Sequence, residues 1–146
     1  MLPDTPSMTQ LSQVISQAAA PAFLLGAVAS FLAVLMTRMS RIVDRSRLLS
    51  SIADNHVAKA HLKADIPRLK RRARLVSRAI FSVVASGIFT TLLLIMAFVN
   101  AFFQIAHEQG VGILFIVALG FFAFALVSMA LEARIALHDL DFEHHA

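Results

Sequence analysis

Residues 68–105 read RLKRRARLVSRAIFSVVASGIFTTLLLIMAFVNAFFQI. Six Lys or Arg side chains crowd between Arg68 and Arg78, and from Ala79 to Ile105 there is no charge at all. A helix over those 27 residues would be about 40 Å long, enough to cross a hydrocarbon core of about 30 Å. Two further uncharged runs follow the same logic, at residues 111–131 and 22–37. The latter reaches spanning length when read from about Ala18 to Met39. The expected spans are therefore 18–39, 79–105 and 111–131. A hydrophobic share of 58% and a mean hydropathy of +0.76 agree with this. A soluble domain of this size would spread its charges over its surface, whereas here they avoid whole segments.

Charge placement sets the orientation. Twelve of the thirteen Lys and Arg residues lie between Arg38 and Arg78, with three acidic residues, a net of +9. The positive-inside rule puts this loop in the cytoplasm from both of its ends. The connection 106–110, AHEQG, then lies outside, and the third span returns inward with Arg134 behind it. The expected topology is three spans with the N-terminus outside and the C-terminus in the cytoplasm of a bacterial inner membrane. A cleaved secretory signal is the competing reading of the first 37 residues, but no Lys or Arg precedes Pro21, and a basic leading region is what such signals need. The basic pI near 10.7 points to anionic lipid headgroups rather than nucleic acid, because the cations flank membrane spans.

The fold class read from this pattern is all-α, a polytopic membrane protein with three transmembrane helices and a long cytoplasmic helical hairpin extension. Residues 1–146 form one membrane domain in this reading. Residues 1–10 are polar, and Leu11, Val14, Ile15 and Ala18 recur at helical spacing ahead of Pro21. The basic segment 40–78 has no Gly and one Pro, Pro67. Ile42, Leu48, Leu49, Ile52, Leu62 and Ile66 give it a broad apolar face that needs a partner. The spacing predicts that the first helix continues to about Asp65, that the chain turns around Pro67, and that a basic helix climbs into the second span. The alternative is an interfacial helix lying on the headgroups. Helical character is expected past Leu131 through Leu137 and Leu140 into the tail 132–146, which ends DLDFEHHA.

Several chemistries find no support. Cysteine is absent, which removes disulfides and thiolate metal sites. Trp and Tyr are absent too, so the aromatic interface belt is missing. The six His residues have no zinc-site spacing, although His107 beside Glu108 would suit sensing of external pH. No phosphate-binding glycine loop and no nucleophile–base set is present, so no enzyme, cofactor or metal is expected. Gly110 and Gly112 are read as a tight turn, and Gly26, Gly87 and Gly120 as sites of close helix contact.

Two polar constellations stand out. Ser86, Thr90, Asn100 and Gln104 share a face of the second span with Leu93 and Ala97. Such a stripe serves ordinary helix packing, or lines a hydrated path once several copies surround an axis. The second constellation is an inner ion-pair network of Arg41, Asp44, Arg45 and Glu132, with Arg38 at the same depth. Lys70, Arg71, Arg72 and Arg74 are the candidate contacts to anionic lipid.

RMSRIVDRSRLL, Arg38 to Leu49, and LVSMALEARIAL, Leu126 to Leu137, are the distinctive stretches. Their combination resembles a family of small bacterial integral membrane proteins catalogued as a domain of unknown function, with Arg-Ile-Val-Asp-Arg, Arg41 to Arg45, as its signature. The resemblance covers roughly residues 10–140 and implies three membrane helices in a bacterial inner membrane, without a reaction. The functional expectation is a small homo-oligomeric channel conducting along the second-helix stripe. The alternative is a non-conducting adaptor that recruits a protein or anionic lipid through its basic helices.

Overall fold

The computed structural model describes residues 7–52, 59–103 and 108–143, with side chains described for 7–51, 65–103 and 109–138. The described chain is entirely helical: α1 is Met8–Ile52, α2 is Lys59–Phe103 and α3 is Glu108–Glu143. Each contains a segment long and apolar enough to cross a membrane, within Met8–Ser51, Asp65–Phe103 and Gln109–His138. Ser7 opens α1 as its cap. Its hydroxyl accepts from the Gln10 amide at 3.3 Å, and Gln10 Oε1 accepts from the Ser7 amide at 3.1 Å, a reciprocal box that satisfies two otherwise unpaired donors.

Both basic flanks belong to the helices that carry the spans. α1 is 45 residues long, or about 68 Å, more than twice the thickness of a hydrocarbon core. It passes from residue 8 through the apolar run to Ile52 without a break. The segment 11–18 therefore leads directly into the span, with Pro21 buried inside the helix. α3 likewise continues past Leu137 and Leu140.

The hairpin turn is not where the proline suggested. Pro67 lies inside α2, and residues 53–58, between α1 and α2, lie outside the described residues. A proline within a helix forfeits one backbone hydrogen bond, and here that loss does not end the helix. Among the described residues of α2, Leu69 and Val76 are buried just beyond it. The glycine readings also change. Gly110 and Gly112 lie within α3 rather than in a turn before it. Among the three span glycines only Gly87 meets a neighbour: a Cβ there would stand 3.3 Å from Val28 Cγ1, while nothing lies within 4 Å of such an atom at Gly26 or Gly120.

The chain divides into two compact units, each drawing on all three helices. The first comprises Met1–Phe31 and Val83–Ala123. In it Leu24 and Val28 of α1, Val83, Ser86, Thr90 and Leu93 of α2, and Ala118 of α3 are buried. The Phe89 and Phe121 rings stack at 5.5 Å, and Phe31 meets Phe122 edge-on at 5.8 Å. The second unit comprises Leu32–Ser82 and Phe124–Ala146. It buries Leu35 and Ile42 of α1, Leu69, Val76, Ala79 and Ser82 of α2, and Ala125, Ser128 and Glu132 of α3.

Many of the buried positions recur every seven residues: Val28, Leu35 and Ile42 on α1; Leu69, Val76, Val83 and Thr90 on α2; and Ala118, Ala125 and Glu132 on α3. A seven-residue repeat of this kind is the seam spacing of helices that pack along their length. Beyond it, large apolar side chains such as Phe81, Ile116 and Val127 face outward, as expected where lipid is the solvent. Because Gly87 is the tight contact, Gly87→Leu should lower stability by about 2 kcal/mol through overpacking against Val28, whereas Gly120→Ala should leave it unchanged or slightly raise it. Thermal melts of the purified protein in detergent would separate the two.

Candidate functional site

α3 places a carboxylate in the seam position that Ala118 and Ala125 occupy about four turns and two turns earlier. Glu132 is 1% exposed. An ionised acid out of water costs several kcal/mol unless it is paired. Its partners come from the other two helices of the same unit. Arg38 of α1 donates through Nη1 to Oε2 at 2.6 Å. Arg72 of α2 donates to Oε1 through Nε at 3.0 Å and through Nη2 at 2.9 Å. Both carboxylate oxygens are thus occupied by charge-assisted bonds, the strong kind. The two guanidinium groups keep side-chain exposures of 35% and 21%, so they form the outer part of the cluster and Glu132 its buried centre.

Beside this cluster lies a pocket of about 300 Å³, walled by Arg38, Arg41, Ile42, Arg45, Leu69, Arg72 and Glu132. Of the four residues expected to form an inner network, Glu132 is the one that is ion-paired, and its partners are Arg38 and Arg72. Arg41 and Arg45 line the pocket and have no ion-pair partner among the described residues. Asp44 is exposed on α1 and takes no part in the pocket wall.

The four basic residues picked out on α2 separate into two sets. Lys70, Arg71 and Arg74 are exposed, while Arg72 turns inward onto Glu132. The sequence carries a signal for that difference: Arg72 stands seven residues before Ala79, which is itself seven before Ser86 and fourteen before Leu93, all buried. Arg38 is likewise fourteen residues after Leu24, another buried seam residue.

In the first unit the hydroxyls of the second-helix stripe are inside the fold. Ser86 and Thr90 are both 0% exposed. Ser86 Oγ donates to the Ala118 carbonyl of α3 at 2.8 Å, and Thr90 Oγ1 donates to the Ser86 carbonyl at 2.7 Å. Asn100 is half-buried. Gln104, His56 and His107 lie outside the described residues, as do the side chains of His61, His144 and His145. Among the described residues no group of acids and histidines is placed to hold a metal ion.

Three apolar helices, a seam facing inward and a phenylalanine- and leucine-rich exterior define a helical membrane protein. The chain belongs to a protein family of unknown function, DUF2721, the match covering residues 18–142 and so most of the chain. No curated protein and no solved structure matches it.

The ion-pair cluster has a measurable weight. Glu132→Ala should destabilise the protein by about 3 kcal/mol, because it leaves two guanidinium groups facing each other without their anion. Replacing the whole cluster, R38M/E132L/R72M, should recover most of that loss, since apolar residues of similar volume need no partner there. Melting temperatures in detergent would show both effects, and a Glu132→Ala protein as stable as the wild type would refute the assignment.

Proposed function

We propose that the protein is a non-enzymatic membrane adaptor, a three-span homo-oligomeric anchor that carries a basic helical hairpin and engages anionic headgroups of its own leaflet. The supporting observation is the continuity of α2. Lys70, Arg71 and Arg74 are exposed on a helix that runs unbroken into the apolar stretch beginning at Ala79. Cations so close to a span stand at headgroup depth or just above it, within a Debye length of an anionic surface. The charge asymmetry supports a cytoplasmic location for the hairpin, in a bacterial inner membrane with the N-terminus outside.

Passive conduction is the second reading. Its proposed lining is Ser86, Thr90, Asn100 and Gln104. The burial of Ser86 and Thr90 against α3 counts against a hydrated path through a single protomer. Conduction would have to arise at an axis between copies, with Asn100 the residue most able to reach water there. Flux across liposomes reduced by Asn100→Leu in an intact oligomer would favour this reading over the adaptor.

Two experiments test the adaptor. In proteoliposomes of mixed neutral and anionic lipid, K70Q/R71Q/R74Q should reduce enrichment of anionic lipid around the protein. At about 1 kcal/mol per cation near the surface, the expected loss is on the order of 100-fold in relative affinity. Unchanged enrichment would remove the reading. Orientation is open to cysteine labelling, because the chain has no cysteine of its own. Ser7→Cys should react with an impermeant maleimide on intact cells, and Ser50→Cys only after the membrane is opened.

A further inference from the structure

The geometry points to a phosphate-binding site in the pocket beside Glu132, built by Arg38, Arg41, Arg45 and Arg72. Four arginines line this space against a single carboxylate, a formal excess of three positive charges. That carboxylate offers nothing further, since both of its oxygens already accept bonds from Arg38 and Arg72. Arg41 and Arg45 lie one turn apart on α1 and share its pocket face with Arg38. Like charges at this spacing repel. Neither has an ion-pair partner among the described residues, and both open onto the same cavity. An anion between them would relieve that repulsion.

Phosphate fits this donor set better than a carboxylate does. Guanidinium forks bind pairs of oxygens. A carboxylate has two oxygens, whereas a phosphate group has three or four to share among several forks. A pocket of about 300 Å³ is at the lower limit for small-molecule sites and has room for a phosphate group with part of its substituent. Ile42 and Leu69 supply apolar wall on either side. Arg38 and Glu132 are also the first charged residues after the apolar runs 22–37 and 111–131. That is the depth at which lipid phosphates begin. The shared chemistry is therefore a phosphate group, carried by a phospholipid headgroup or by a soluble phosphate ion. The site uses residues separate from the exposed Lys70, Arg71 and Arg74 and does not depend on them.

The test uses the full-length protein in a maltoside detergent, which contains no phosphate. One arm measures stabilisation by inorganic phosphate against chloride at constant ionic strength. The other measures retention of phosphatidylglycerol against phosphatidylcholine by native mass spectrometry. R41Q/R45Q should weaken binding at least about ten-fold, the value of a lost charge-assisted bond. R47Q, an exposed position on α1 outside the pocket wall, should change it by less than about two-fold, because that side chain does not line the cavity. Retention of phosphatidylglycerol alone assigns the phosphate to a lipid, and stabilisation by inorganic phosphate alone assigns it to a soluble ion. R41K/R45K keeps both charges and removes the forks. It should still lose affinity, and it serves if the glutamine pair does not fold. Equal losses in the pocket and surface variants would reduce the site to diffuse attraction, and binding of neither probe would remove it. Failure of the surface cluster to enrich anionic lipid would leave this pocket result untouched.

Discussion

The Glu132 carboxylate, held between Arg38 and Arg72, is the interaction on which the second unit depends. Each of the three helices contributes one member, and each member stands in its helix's buried register. An apolar seam alone would register these helices weakly, because lipid tails are as apolar as the seam itself. A charge layer changes that. Sliding α2 by one heptad would bring Ala79 or Asp65 to Glu132 in place of Arg72, and sliding α1 one heptad toward its C-terminal end would bring Phe31 in place of Arg38. Loss of one of its two cations leaves the buried acid under-compensated, which penalises these registers, and fixing register is the best-attested use of buried polar groups.

The same constraint separates the two polar patterns of the chain. Hydroxyls in hydrocarbon surroundings need acceptors, and a helix supplies them cheaply: Thr90 bonds the carbonyl one turn back, while Ser86 reaches across to α3. Such residues permit close approach and satisfy themselves in the process. A polar stripe is thus compatible with a dry contact. Guanidinium groups differ, because five donors in a rigid fork are not satisfied by one shared carboxylate. The pocket beside Glu132 keeps unspent donor capacity, and this makes it the more specific chemical feature of the molecule.

Much of the architecture was legible in the order of residues. Uncharged runs set the spans, and the absence of glycine between Arg38 and Arg78 anticipated helices continuing beyond them. Pro67 misled because proline's effect on a helix is local: one lost hydrogen bond does not stop α2, which runs through Pro67 with Leu69 and Val76 buried beyond it. Arg72 was hidden among neighbours of identical type. Its difference from Arg71 and Arg74 is angular, about 100° per residue around the helix axis, and only the seven-residue spacing to Ala79, Ser86 and Leu93 marks it.

The sequence by itself determined the solvent of this protein and the number of its helices, because hydropathy over 20 residues is a local sum that no neighbour can reverse. It also carried the charge asymmetry, which is a property of linear order. What only the tertiary structure decided is which charges meet. Arg38 and Glu132 are 94 residues apart, and Arg72 and Glu132 are 60 apart. Their pairing follows from the rotation of each helix about its own axis, and that rotation is set jointly by three packed seams rather than by any one segment.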